Sequence, residues 1–130
     1  MSKSKMLSPN PNEIFKCSLS TRSVKKQIVD IASTKTFADF HKIIQKFGHW
    51  DNWHLHDFKI YIGSTNKTGI KIAGLQPDGK PMNIAEEYDY SEENVCIGNL
   101  ISLDNYRMKY TYDFGEENIV YIRLLEIIKK

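Results

Sequence analysis

Between Phe47 and Phe58 the spacing of apolar residues changes period, and that change constrains the fold more than any other stretch of the chain. Upstream, Phe37, Phe40, His41, Ile44 and Phe47 recur every three or four residues, which gathers them on one face of an α-helix. Downstream, His54, His56, Phe58, Ile60 and Ile62 recur every second residue, as on one face of a β-strand. A chain that hands a helix to a strand this abruptly must pack helix on sheet, because each has an apolar face to cover. Thr36 and Asp39 have the spacing of a capping box, so the helix is expected over about 36–47. Gly48 follows as the residue expected to close it in the left-handed conformation.

Strand patterns surround this joint. Phe15, Cys17 and Leu19 alternate with polar residues, and 25–31 reads as a second strand, paired antiparallel with the first. Residues 63–69 form a turn, after which 70–74 returns as a hairpin partner. The acidic run 83–94 has no period that buries a face and is expected to be a surface loop. Residues 95–101 are short and apolar, either a strand or one helical turn. Met108, Tyr110, Tyr112 and Phe114 alternate, Gly115 offers a turn, and 119–128 is almost continuously apolar. The expected end is therefore a C-terminal β-hairpin whose last strand is covered on both faces. Residues 1–12 offer little to bury and read as a flexible tail. The expectation is one α+β domain over 13–130, a mainly antiparallel sheet on one principal helix.

Composition narrows the function classes. No apolar run nears the roughly 20 residues of a membrane span, and the start lacks the apolar segment of a secretory signal, so a cytoplasmic protein without a membrane partner is expected. Cys17 and Cys96 lack the CxxC spacing of a zinc knuckle and read as small buried hydrophobes. Nucleotide-binding glycine fingerprints and nucleophile motifs are missing. Net charge is +2, yet residues 1–50 carry +6 and residues 51–130 carry −4. Such asymmetry suits an anionic partner only if the halves are separate in space.

The joint holds the residues with chemical potential. His54 and His56, two apart on a strand, aim their rings to one side, as a zinc site on a sheet requires. Asp51, His41 or Asp113 could complete its shell. The bland reading is that the rings are packed and hydrogen-bonded, and His41, among Phe and Ile, reads as a core-edge histidine bonded to a backbone carbonyl. Asp113, Glu116 and Glu117 stand at a turn, where acids commonly serve solvation. His49 reads as a solvated loop residue. Trp50 and Trp53 supply large contact area for a binding surface.

Two motifs, Trp50-Asp51-Asn52 with His54-Leu55-His56-Asp57-Phe58, and Tyr110-Thr111-Tyr112-Asp113-Phe114-Gly115-Glu116, follow Phe40-His41, Ile44 and Gln45 in order. In these the chain resembles the plasmid pRiA4b ORF-3-like family, which includes passenger proteins of insertion sequences. The likeness spans roughly 13–127. Family members usually carry a late tryptophan and histidine where this chain has Asn118 and Val120, and often Trp-Arg-Arg where it has about Lys26-Gln27-Ile28. The resemblance implies a compact α+β domain associated with mobile elements, and no established reaction or cofactor. It places Trp50 in the core, leaves Trp53 for an exposed contact, and brings Trp50, Asp51, His54, His56 and Asp113 close together. The expected function is a non-catalytic binding or accessory module with a protein or nucleic-acid partner. The alternative is a metal-dependent enzyme, acting on nucleic acid or a small molecule through His54, His56 and Asp113.

Overall fold

The computed structural model describes residues 6–23, 26–82 and 87–130 of the chain. Its elements in order are β1 (Glu13–Ser20), β2 (Lys26–Ala32), α1 (Phe37–Gly48), β3 (His56–Tyr61), β4 (Thr68–Ala73), β5 (Tyr90–Ser91), α2 (Ile97–Leu100), β6 (Arg107–Tyr112) and β7 (Asn118–Lys129). The strands form one sheet ordered β2-β1-β7-β6-β3-β4-β5, antiparallel throughout except that β5 runs parallel to β4. The architecture is α+β, with α1 as its principal helix. A β6–β7 hairpin ends the chain.

Helix α1 forms as its sequence dictates. Thr36 accepts from the Asp39 amide while the Asp39 carboxylate accepts from the Thr36 amide, so the capping box is closed. Phe37, Phe40, Ile44 and Phe47 are buried against the sheet, where Phe58 meets both Phe37 and Phe40. The helix ends differently from expectation. His49, not Gly48, takes the left-handed conformation, with φ 57°, and is otherwise an exposed cap. Gly48 is required for another reason: a Cβ there would collide with the Trp50 ring, which folds back over the helix end.

Two further expectations are corrected. Strand β3 begins at His56, so His54 lies outside it, and it ends at Tyr61, short of Ile62. Strand β7 runs between β1 and β6 but is covered on one face only: Val120, Ile122 and Leu124 are buried while Tyr121, Arg123 and Leu125 are exposed. Its near-continuous apolarity concealed that alternation. The segment before the first strand makes hydrogen bonds to the rest of the fold where it is described. The Leu7 amide bonds Asn99 O, the Asn99 side chain returns to Leu7 O, and the Ser33 hydroxyl donates to Asn10 O. Residues 1–5 of the expected tail lie outside the described residues.

The expected loop 83–94 is also more structured than its composition suggests. Residues 83–86 lie outside the described residues, but 90–91 form β5 and Glu92 is buried. The first helical turn explains this. The amides of Phe37 and Ala38, unpaired within α1, donate to Val95 O and Glu92 O, which docks the acidic segment against the helix start. Residues 97–100 resolve as the single helical turn α2.

Candidate functional site

The residues singled out at the joint separate into an inner and an outer group. Outside, Tyr112 is the hub: the Trp50 ring stacks on it at 5.0 Å, His54 meets it edge-on at 5.7 Å, and the Trp53 amide donates to its hydroxyl at 2.8 Å. Asp113, held in a left-handed turn conformation by its amide bond to Leu55 O, stands 3.6 Å from His54. Asp51 is exposed, and Trp53 is 74% exposed, which leaves its indole free for contact as expected. Trp50 is partly buried against the core.

Inside, under α1, His56 takes a different set of partners. It is 1% exposed and donates from Nε2 to Glu92 Oε1 at 2.7 Å, while Glu92 Oε2 accepts from the Leu75 amide. Gly74 makes room for the ring, since a Cβ there would strike both the His56 imidazole and its carbonyl. The His41 ring lies on His56, 3.6 Å between centroids and 6° from parallel. His41 bonds Tyr110 Oη through Nδ1 and Asn52 Oδ1 through Nε2, so side chains, not the expected carbonyl, satisfy it. Gln45 closes the circuit, donating to Tyr110 Oη and accepting from the Asn52 amide. With Gln45 as donor, Tyr110 directs its own proton to His41 Nδ1, which places the imidazole proton on Nε2. Burial, with a smaller contribution from His56, pulls His41 down to about 4, so this imidazole is neutral near neutral pH.

The zinc pair read from the sequence is therefore not assembled: His54 faces outward to Asp113 and His56 inward to Glu92. The inner group His41, His56 and Glu92 does offer ligand atoms within 4.8 Å of one another. Yet an imidazole lone pair lies in its ring plane, and two stacked parallel planes cannot meet at one ion. One ring would have to turn and abandon its hydrogen bonds. In this arrangement the cluster is a buried polar network that locks α1, β3, β6 and the 92–95 segment together. Glu92 was missed because it sits in an acidic run, and only its docking to the helix start reveals it. Cys17 is buried and its thiol is pushed up to about 12, which makes it inert, whereas Cys96 is partly exposed, against expectation.

The face of the sheet away from α1 carries a cross-strand row of basic residues. Cross-strand register sets Tyr121 opposite Lys109, Lys109 opposite Lys59, and Lys59 opposite Lys71, one row spanning β7, β6, β3 and β4. In the neighbouring row Arg107 opposes Arg123. Tyrosines interleave: the Arg107 guanidinium lies 5.4 Å from the Tyr61 ring centre and that of Arg123 5.3 Å from Tyr106. Beside this ladder Asp57, Lys59, Lys109 and Phe114 help line a hollow of about 320 Å³. Asp57 is 4% exposed; its Oδ2 accepts from the Tyr88 hydroxyl at 2.8 Å, and its Oδ1, also buried, has no partner among the described residues. Burial pushes its carboxyl up.

The described residues thus set a buried polar cluster on the α1 side of the sheet and a row of basic side chains on the other side. The chain belongs to the family described as plasmid pRiA4b ORF-3-like protein, whose model matches residues 14–130. It is similar to the crystal structure of a protein of unknown function, MM3350 from Methanosarcina mazei Go1, with 27% identity and a TM-score of 0.70. That likeness covers 99% of this chain and 65% of the other, so the chain spans about two thirds of that structure's length. No curated protein matches.

Proposed function

We propose that this protein is a non-catalytic accessory module of mobile-element type that binds single-stranded nucleic acid in the cytoplasm on the open face of its sheet. The observation that carries this reading is the row Lys109, Lys59 and Lys71, like charges set directly opposite one another with the Arg107–Arg123 pair alongside. Like charges in register destabilise a sheet, and phosphates laid across them relieve that repulsion. Tyr121, exposed, and Tyr61, half-buried, stand in these rows and suit unpaired bases, because every base has a face to stack. A protein partner with an acidic surface would use the charge but not the rings. The plasmid in the family's description supports the mobile-element setting. The free cysteines suit a reducing cytoplasm, and no helix among the described residues is long and apolar enough to cross a membrane.

The test is fluorescence anisotropy with a labelled oligo-dT of about twelve nucleotides. Five cationic contacts give a slope of roughly −3.5 in log K against log salt for a single strand. Reversing Lys59 and Lys109 to Glu should weaken binding at least ~10-fold and flatten the slope. Absence of binding at ~100 μM protein in low salt, or binding indifferent to the reversal, would remove the reading, since non-specific affinities already lie between about 10⁻⁴ and 10⁻⁶ M.

A further inference from the structure

The two ends of the sheet are unequal. At one end β5 is two residues long, whereas at the other β2 is a seven-residue strand with a neighbour on one side only. Hydrogen-bond parity tells which of its residues face outward. The Ser33 amide donates to Glu13 O, and the β1–β2 register continues that pair through Phe15–Ile31, Cys17–Val29 and Leu19–Gln27. In an antiparallel ladder the intervening residues turn their backbone groups the other way, so Lys26, Ile28 and Asp30 aim N–H and C=O out of the sheet. Ala32 shares their parity, and its carbonyl accepts from the Lys35 amide, outside the ladder. No backbone bond from the described residues reaches Lys26, Ile28 or Asp30 on that side. Ile28 is 47% exposed, and neither Lys26 nor Asp30 has an ion-pair partner among the described residues.

Proteins guard such an edge with charge, and charges of one sign would repel a second copy of the same strand. Lys26 and Asp30 are of opposite sign and stand two residues either side of Ile28. We infer that β2 pairs with β2 of a second copy of this chain, antiparallel and centred on Ile28. In that register Lys26 meets Asp30 twice, Ile28 meets Ile28, and Gln27 meets Val29 on the other face. The outward backbone groups of Lys26, Ile28 and Asp30 then satisfy those of the same three residues in the partner, as a two-fold contact requires. Charge selects this register. Centring at Val29 sets Asp30 against Ile28 and Lys26 against Ala32, and centring at Asp30 opposes the two carboxylates. The two-fold axis of such a pair stands perpendicular to the sheet, so the basic rows of both copies face the same way. The pairing does not rest on the nucleic-acid reading above.

The experiment is sedimentation velocity on the full chain. One edge strand makes a small contact that dissociates readily, so wild-type protein should pass from monomer to dimer between ~10 and ~500 μM. Lys26→Asp and Asp30→Lys each set like charges opposite one another twice, and each alone should weaken association at least ~10-fold. An equimolar mixture of the two variants should associate as the wild type does, because one copy then carries both carboxylates and the other both ammonium groups. That recovery also shows that both variants are folded. Ile28→Pro removes an outward donor and leaves the bonds to β1 in place, so it should abolish the dimer with an unchanged far-UV circular dichroism spectrum. Wild-type protein that stays monomeric over the whole range would overturn the inference. So would a dimer that neither charge reversal weakens, or a mixture of the two variants that fails to associate.

Discussion

At the scale of single residues, His41 makes the acid behaviour of the protein predictable. Burial and the adjoining His56 hold its imidazole near 4 against 6.5 in an open chain, opposed by the weaker attraction of Glu92. The unfolded chain therefore binds more protons between about pH 6.5 and 4, and stability falls as pH falls through that window. The slope is at most ~1.4 kcal/mol per pH unit for this one group. Asp57, raised by burial against the opposing pull of the Tyr88 hydrogen bond, Lys59, His56 and Lys109, works the other way. Its folded form keeps a proton more readily, so its contribution rises as pH falls toward the carboxylate range. The expected result is a lower urea midpoint at pH 5 than at pH 7.5, with the His41 ring still neutral by NMR at pH 5. A His41 ring titrating near 6.5 in the folded protein would contradict the buried network. His54, exposed beside Asp113, is different: His54→Ala should change stability by no more than ~0.5 kcal/mol.

Elements depend on contacts that can be broken one at a time. Phe40 is fully buried on α1 and stacks on Phe58 of β3, so Phe40→Ala should cost about 3–5 kcal/mol in chemical denaturation. A loss under ~1 kcal/mol would mean that the helix is not held by this face. Gly74 tests the β3–β4 contact. Its amide bonds His56 O, and any Cβ meets that same carbonyl and the imidazole above it. The backbone atom cannot swing aside as a side-chain tip can, so Gly74→Ala should destabilise by about 1–3 kcal/mol. Far-UV circular dichroism of the variant should remain that of an α+β protein at low temperature.

For the whole molecule, the open face sets stability against binding. Arg123→Glu places a carboxylate opposite Arg107 and converts a repulsive cross-strand pair into an attractive one. Melting should show a gain of roughly 0.2–1 kcal/mol, while affinity for oligo-dT falls and its salt slope becomes shallower. A variant that gained stability and kept full affinity would separate the charged face from function. The lysines and arginines of this face come from residues 59–123, the part of the chain that counts as acidic overall. Its basicity is a property of strand register.

Much of what is periodic or local was written in the sequence, apart from the cap at His49, the ends of β3 and the one-sided burial of β7. The helix at Phe37–Gly48, its capping box, its buried face, the β1–β2 pairing and the terminal hairpin all follow from spacing and turn chemistry, which act between residues a few positions apart. Of the five joint residues expected together, Trp50, His54 and Asp113 gather around Tyr112, whereas His56 turns inward to Glu92 and Asp51 is exposed. What the tertiary structure alone decided is which distant residues meet. Glu92 reaches His56 across 36 positions because α1 leaves amides that its segment can satisfy. His54 and His56 part company because the strand begins two residues later than alternation suggests. The basic ladder forms because pairing sets Lys109, Lys59 and Lys71 side by side. Hydrogen-bond register and orphan backbone groups are three-dimensional quantities, and no one-dimensional period encodes them.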